Sequence, residues 1–242
     1  MHQNHSISQQ DVCLICLSSI SKTSSFHQLF THHCICSSCL SLFKRIDIKT
    51  NFQGYPLRIL YAYNDFFRTL LFRYKGQYDY ALKDAFLDMY KRELQRRYKD
   101  YLIVFAPSAS KANDGRGFAP NQAIAMTIHS HVFNGLYKKV DYKQSDQSYT
   151  QRAGIRDVIG LRGGLFLRNR KILLLDDVMT SGETIKTCLK LIEKEKPQKI
   201  EILILAIKEK YLVNLGIIKQ AKEYIKSFVF CGMYDIMYTI LY

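Results

Sequence analysis

The stretch Lys171–Thr184, KILLLDDVMTSGET, constrains the chain more than any other. Its apolar run Ile172–Leu175 reads as a buried strand, and it leads straight into two adjacent acids, Asp176 and Asp177. Burying apolar side chains stabilises a fold, whereas two neighbouring carboxylates at the end of a buried strand cost stability. The arrangement makes sense at the carboxyl edge of an open α/β sheet, where ligands bind. After Val178 and Met179, residues Thr180, Ser181, Gly182, Glu183 and Thr184 form a short loop opening a helix expected from Gly182 to about Glu195. Backbone N–H groups at a helix start, hydroxyls and one small glycine suit a phosphate dianion. Carboxylates accept hydrogen bonds from vicinal hydroxyls, so the whole layout fits a ribose 5-phosphate. A Ser181 helix cap would explain the loop but not the tandem acids. The chain has no GxxxxGK[ST] and no GxGxxG, which argues against a P-loop NTPase and a dinucleotide-binding fold.

The rest of the chain places this stretch in an α/β domain. Tyr101–Ala106 and Lys199–Ala206 read as further buried strands, with helices expected at Tyr78–Tyr98 and near Asn121–Val132. Strands alternating with helices imply crossover connections and a mostly parallel sheet with flanking helices. Residues 41–58 read as a connection closing on Gly54 and Pro56, and Tyr142–Tyr149 as a polar loop.

Five of the seven cysteines lie between Cys13 and Cys39. Cys13-x2-Cys16 is followed, after nineteen residues, by Cys36-x2-Cys39. Two such knuckles point four sulfurs at one ion and suit a tetrahedral zinc site. A segment this short cannot bury enough apolar surface to fold alone, and metal binding supplies about 10–16 kcal/mol in zinc-finger peptides. Four protein ligands leave no open position, so the zinc is expected to be structural. Cys34, His32 and His33 flank the second knuckle as substitutes for a ligand; Cys188 and Cys231 read as core residues. The expected organisation is a zinc-binding module over residues 1–50 and an α/β domain over 51–242.

Lys plus Arg exceeds Asp plus Glu by 35 − 21 = 14, spread along the chain. That excess favours a polyanionic partner: nucleic acid, a phosphorylated ligand or an anionic membrane surface. Phe66–Lys75 and Tyr90–Lys99 interleave cations with aromatics, a pattern suited to single-stranded nucleic acid; solvated helix faces over core aromatics explain it equally well. No stretch approaches the roughly 18 apolar residues of a membrane span, and no basic-then-apolar leader opens the chain, so a cytoplasmic protein is expected.

ILLLDDVMTSGET resembles the signature of type I phosphoribosyltransferases, and a four-cysteine module ahead of such a domain resembles the ComF/ComFC family of DNA-uptake proteins of natural transformation. Tyr74-Lys75-Gly76, Arg116-Gly117-Phe118 and Asn121 add to the likeness, although the family's RGFNQ is here RGFAPNQ. The resemblance implies phosphoribosyl pyrophosphate with Mg²⁺ as ligand, its ribose on Asp176 and Asp177 and its 5′-phosphate on Thr180–Thr184. It implies pyrophosphate-side roles for Ser110, Lys111 and Arg116, with Arg116 and Lys75 equally explained as solvated cations. It also implies single-stranded DNA and other uptake proteins at the inner face of the membrane as partners. The alternatives are a nucleotide-salvage phosphoribosyltransferase and a non-catalytic adaptor with a vestigial pocket. No nucleobase-recognition segment is evident, so turnover stays open.

Overall fold

The computed structural model describes residues 12–20, 33–108, 110–139 and 159–214, with backbone alone at 110–112, 209, 213 and 214. In chain order its elements are α1 (Ser37–Ser41), β1 (Arg45–Phe52), β2 (Tyr55–Ala62), α2 (Asp65–Gly76), a 3-10 segment (Tyr80–Leu87) and α3 (Lys91–Arg97). There follow β3 (Leu102–Phe105), α4 (Ser110–Arg116), α5 (Pro120–Ile128), β4 (Val132–Phe133), β5 (Leu136–Lys138) and β6 (Ile159–Leu161). The last are β7 (Lys171–Met179), α6 (Glu183–Glu193), β8 (Lys199–Ile207) and α7 (Glu209–Asn214).

Six strands form one sheet in the order β1-β2-β8-β7-β3-β4. Every neighbouring pair is parallel except β1–β2. β5 and β6 make a separate antiparallel pair. The expected parallel α/β architecture is therefore present. The expected connection at 41–58 is not: β1 and β2 form an antiparallel hairpin. Gln53 and Gly54 carry it at φ 53° and 83°, and two positive φ angles in sequence match the twist of a tight hairpin. The expected domain boundary at 50/51 falls within β1, which is hydrogen-bonded into the sheet.

The second correction is the helix expected at Tyr78–Tyr98. Tyr78 has φ 64°, Tyr80–Leu87 winds as 3-10, and α3 begins only at Lys91. The break is occupied. The Asp88 carboxylate between the two pieces leaves to bind the cysteine module, and Tyr90 packs its ring 5.7 Å from that of Tyr61.

Strand β7 is buried on both faces, as a central parallel strand should be. Leu173 and Leu175 join Phe67, Tyr74, Phe86 and Leu94 on one side. Ile172 and Leu174 join Ile185, Cys188, Leu189 and Ile192 of α6 on the other. Two buried charges tie α3 to the sheet. Arg58 of β2 chelates Asp47 and Glu93, with Nε–Oδ1 2.6 Å and Nη1–Oε1 2.5 Å, under the Tyr90 ring. Glu201 of β8 takes Arg97 at 2.9 Å, Lys199 at 2.7 Å and the Tyr101 hydroxyl at 2.8 Å.

Candidate functional site

Asp176 and Asp177 lie near the carboxyl end of β7 and are 9% and 6% exposed. Alternation along the strand sends them to opposite faces. Asp177 shares the parity of Leu175 and meets α2, where the Lys75 ammonium pairs with it. Asp176 shares the parity of Leu174, on the side of α6. Its Oδ1 accepts from Asn121 Nδ2 at 3.0 Å and from the backbone N–H of Asp177 at 2.9 Å. Burial, and then the charge of Asp177, push the Asp176 carboxyl up to about 7; Lys75 and the two donors hold it back. The adjacent acids are therefore unlike: one is ion-paired, the other titrates near neutrality.

The loop after β7 behaves as an open helix start. Gly182 is the N-cap of α6 at φ 79°, and no side chain caps the helix. Ser181 is thus not a cap; it and Thr180 are exposed, as are Glu183 and Thr184. The N-cap residue lends no side chain to the first turn of α6, an arrangement that favours an anion at the helix start. A side chain at Gly182 would be strained there: φ is positive, and a Cβ would stand 2.6 Å from Phe52 Cζ. Lys186 pairs with Glu183 at 2.6 Å, which offsets the acid beside the loop.

The expected pyrophosphate side comes from the β3–α4 connection. Ser110 and Lys111 open α4, where only backbone is described. Arg116 closes α4 and donates through Nε to the Lys75 carbonyl at 2.9 Å and through Nη1 to Asn113 Oδ1 at 3.0 Å. It joins α4 to the end of α2. Tyr74 beside it donates to the Pro120 carbonyl at 2.8 Å, which fixes the start of α5. Tyr142–Tyr149, His32 and Cys231 lie outside the described residues.

The cysteine module brings Cys13, Cys16, Cys36 and Cys39 together with all four sulfurs within 4.8 Å of one another. The Cys16 and Cys36 sulfurs are 3.7 Å apart. That is too long for a disulfide, near 2.05 Å, and fits the roughly 3.8 Å edge of a tetrahedron with metal–sulfur bonds of about 2.3 Å. Hydrogen bonds from Ser18, side chain first, lower the Cys16 thiol to about 6; burial pushes the Cys39 thiol up. The four residues can thus hold a metal such as zinc, which draws off the thiol protons on binding. Cys34 and His33 are committed elsewhere. Asp88 Oδ1 accepts from Cys34 N at 2.9 Å and its thiol at 3.2 Å, and Oδ2 meets His33 Nδ1 at 2.7 Å. Sequence reasoning missed this anchor, because Asp88 sits in what reads as an unbroken helix. It also left Lys75 without a partner and Asn121 without a role.

The two candidate nucleic-acid stretches resolve differently from their pattern. On α3, Tyr90 and Tyr98 are buried, 3% and 1% exposed, while Arg92, Arg96 and Lys99 face outward around a shallow depression with Gln95. On α2, Phe67 is core and Phe72 is 62% exposed. Most of the aromatics are packing residues, and the cations form the surface.

The phosphoribosyl transferase domain model matches residues 100–232, more than half of the chain. Competence protein ComFC of Streptococcus pneumoniae is 26% identical over 207 residues, covering 75% of this chain and 93% of that relative. Competence protein ComFC of Bacillus subtilis is 23% identical over 217 residues, covering 76% and 90%. A solved hypoxanthine phosphoribosyltransferase of Staphylococcus aureus is 15% identical and covers 54% of this chain and 66% of its own, with a TM-score of 0.37. Matched along most of its length in this way, with the acid pair and helix-opening glycine inside the matched span and a four-cysteine module in front, the chain belongs to the phosphoribosyl transferase domain family, in its ComF/ComFC branch.

Proposed function

We propose that the carboxyl edge of the sheet binds phosphoribosyl pyrophosphate, and that the chain uses this site while handling incoming single-stranded DNA in natural transformation. The observation that carries the ligand is the pair of nearly buried acids, Asp176 and Asp177, six and five residues ahead of a positive-φ glycine that opens an uncapped helix. The carboxylates accept from the ribose hydroxyls. The N–H groups of Thr180–Thr184 receive the 5′-phosphate, and Ser110, Lys111 and Arg116 lie on the pyrophosphate side. Mg²⁺ enters with the pyrophosphate, whose oxygens are the hard ligands it prefers. The ion would offset the charge of the pyrophosphate; the chain's own residues hold and orient the sugar. Binding is proposed, not turnover.

The relatives named as competence proteins support the second half of the reading. So does the outward row Arg92, Arg96 and Lys99, which suits phosphate contacts. Other uptake proteins at the inner face of the membrane are its expected partners. Among the described residues no helix is long and apolar enough to cross a membrane.

Titrating the full chain with phosphoribosyl pyrophosphate and Mg²⁺, with single-stranded DNA as competitor, tests both halves. Saturable binding lost in the Asp176→Asn/Asp177→Asn variant is expected; unchanged binding by that variant sinks the ligand assignment. DNA affinity is expected to fall steeply with salt, and salt-independent binding sinks the nucleic-acid half. Competition puts the two ligands on one site, and independence puts DNA elsewhere, as on α3.

A further inference from the structure

One buried polar group beside the acids has no place in the binding scheme so far. Asn121, at the start of α5, is 7% exposed. Its Oδ1 is, among the described residues, the one buried side-chain nitrogen or oxygen without a hydrogen-bond partner. The amide cannot be turned to relieve it. Nδ2 donates to the Ala106 carbonyl at 3.1 Å and to Asp176 Oδ1 at 3.0 Å, and both are acceptors. Exchanging nitrogen for oxygen would face oxygen with two oxygens. The fold therefore leaves one amide oxygen unsatisfied to keep two donors in place, a cost found where geometry matters more than stability.

What those donors fix is the Asp176 carboxylate. Its Oδ1 already accepts the N–H of Asp177 as well as Asn121 Nδ2. No donor of the described residues reaches Oδ2. The charged or titratable groups that act on Asp176 include Asp177 on its own strand, Lys75 on α2 and Cys188 on α6. Lys75 is paired with Asp177, and Cys188 is a buried thiol. Asn121 from α5 is neutral. A cation in its place would hold the carboxylate but compete with a ligand hydroxyl for its electrons; an amide holds it without that competition.

We infer that Asn121 is a positioning residue that locks Asp176 through Oδ1 and so presents Oδ2 alone as the acceptor for one ribose hydroxyl. The inference rests on the reading of the acid pair as a ribose site and deepens it. Asp177, neutralised by Lys75, is the weaker acceptor of the two. The Asn121–Asp176 pair thus becomes the part of the site that senses the sugar, while the α6 loop senses the phosphate.

The test uses the full chain, ribose 5-phosphate and inorganic phosphate as probes, and the variants Asn121→Ala and Asn121→Leu, the latter keeping the branched side-chain shape. Ribose 5-phosphate affinity is expected to fall about tenfold in both, the worth of a hydrogen bond to a charged group, while inorganic phosphate changes less than about twofold. In the ligand-free chain, the carboxyl-carbon NMR titration of Asp176 should move to higher pH in both variants, because a donor to the charged form is gone. Equal weakening of both probes, or an unmoved Asp176 midpoint, overturns the inference and leaves the ribose reading intact. A wild-type chain that binds inorganic phosphate but not ribose 5-phosphate overturns the hydroxyl-acceptor role together with the ribose reading. In that case a shifted midpoint shows only that Asn121 holds Asp176.

Discussion

The cysteine module and the acid pair solve opposite problems of charge. In the module, four thiols converge from two short knuckles into the geometry of a metal site, and the charge they would carry as thiolates is what a metal such as zinc would balance. In the acid pair, two carboxylates sit side by side on one strand, and the fold supplies its own cation and donors: Lys75 for Asp177, Asn121 and a backbone N–H for Asp176. The first region depends on something added; the second is held ready without it. A site finished only by its ligand is a structural staple, whereas a preformed and partly satisfied site is suited to exchange.

That contrast can be broken most forcefully at the metal. Cys36→Ala should abolish metal binding and melt the module, the loss being a large part of the about 10–16 kcal/mol such sites supply. Metal analysis of the purified variant checks it, and undiminished metal would move the ligand set. Next in size is Asp88→Ala, which strands the Cys34 N–H and the His33 ring. A loss of about 2–3 kcal/mol in a denaturant titration is expected with bound metal retained. Gly182→Ala should cost about 1–3 kcal/mol through the positive φ and the clash with Phe52, and should weaken inorganic phosphate binding.

The smallest effect concerns pH. Burial and the neighbouring Asp177 charge raise the Asp176 carboxyl in the folded chain to about 7, from the ordinary aspartate value near 4. Between those values the native state holds a proton the unfolded chain has released, so this group makes stability fall as pH rises from about 4 to 7. Asp176→Asn should flatten that part of the stability profile. A ligand hydroxyl needs the ionised form, so ribose 5-phosphate affinity should rise with pH through the same range. A profile unchanged by Asp176→Asn would put the titration elsewhere.

How much of this was legible depends on how far apart the partners lie in the chain. The four sulfurs are readable because each knuckle is local. The acids and the glycine loop are readable because one strand–loop–helix segment carries them. The partners that make the two acids unlike are not, since Lys75 and Asn121 lie 102 and 55 residues from the acids they contact. The β1–β2 hairpin had a signal, alternating Ile46 and Ile48 before Gln53-Gly54, but Arg45, Asp47 and Lys49 around them disguise an edge strand. The break at Asp88 had none, because its cause is a carboxylate recruited by a distant loop.

The last turn of α2 links the two regions. Arg73 donates to the Ile15 carbonyl of the first knuckle at 2.8 Å, Tyr74 to the Pro120 carbonyl, and Lys75 pairs with Asp177. Consecutive side chains leave a helix about 100° apart, so these three reach the module, α5 and β7 from one rigid hub. Rolling that hub to improve one contact would pull the other two away. The thiol cluster and the acid pair are therefore geared together, and neither can be repositioned without the other registering it.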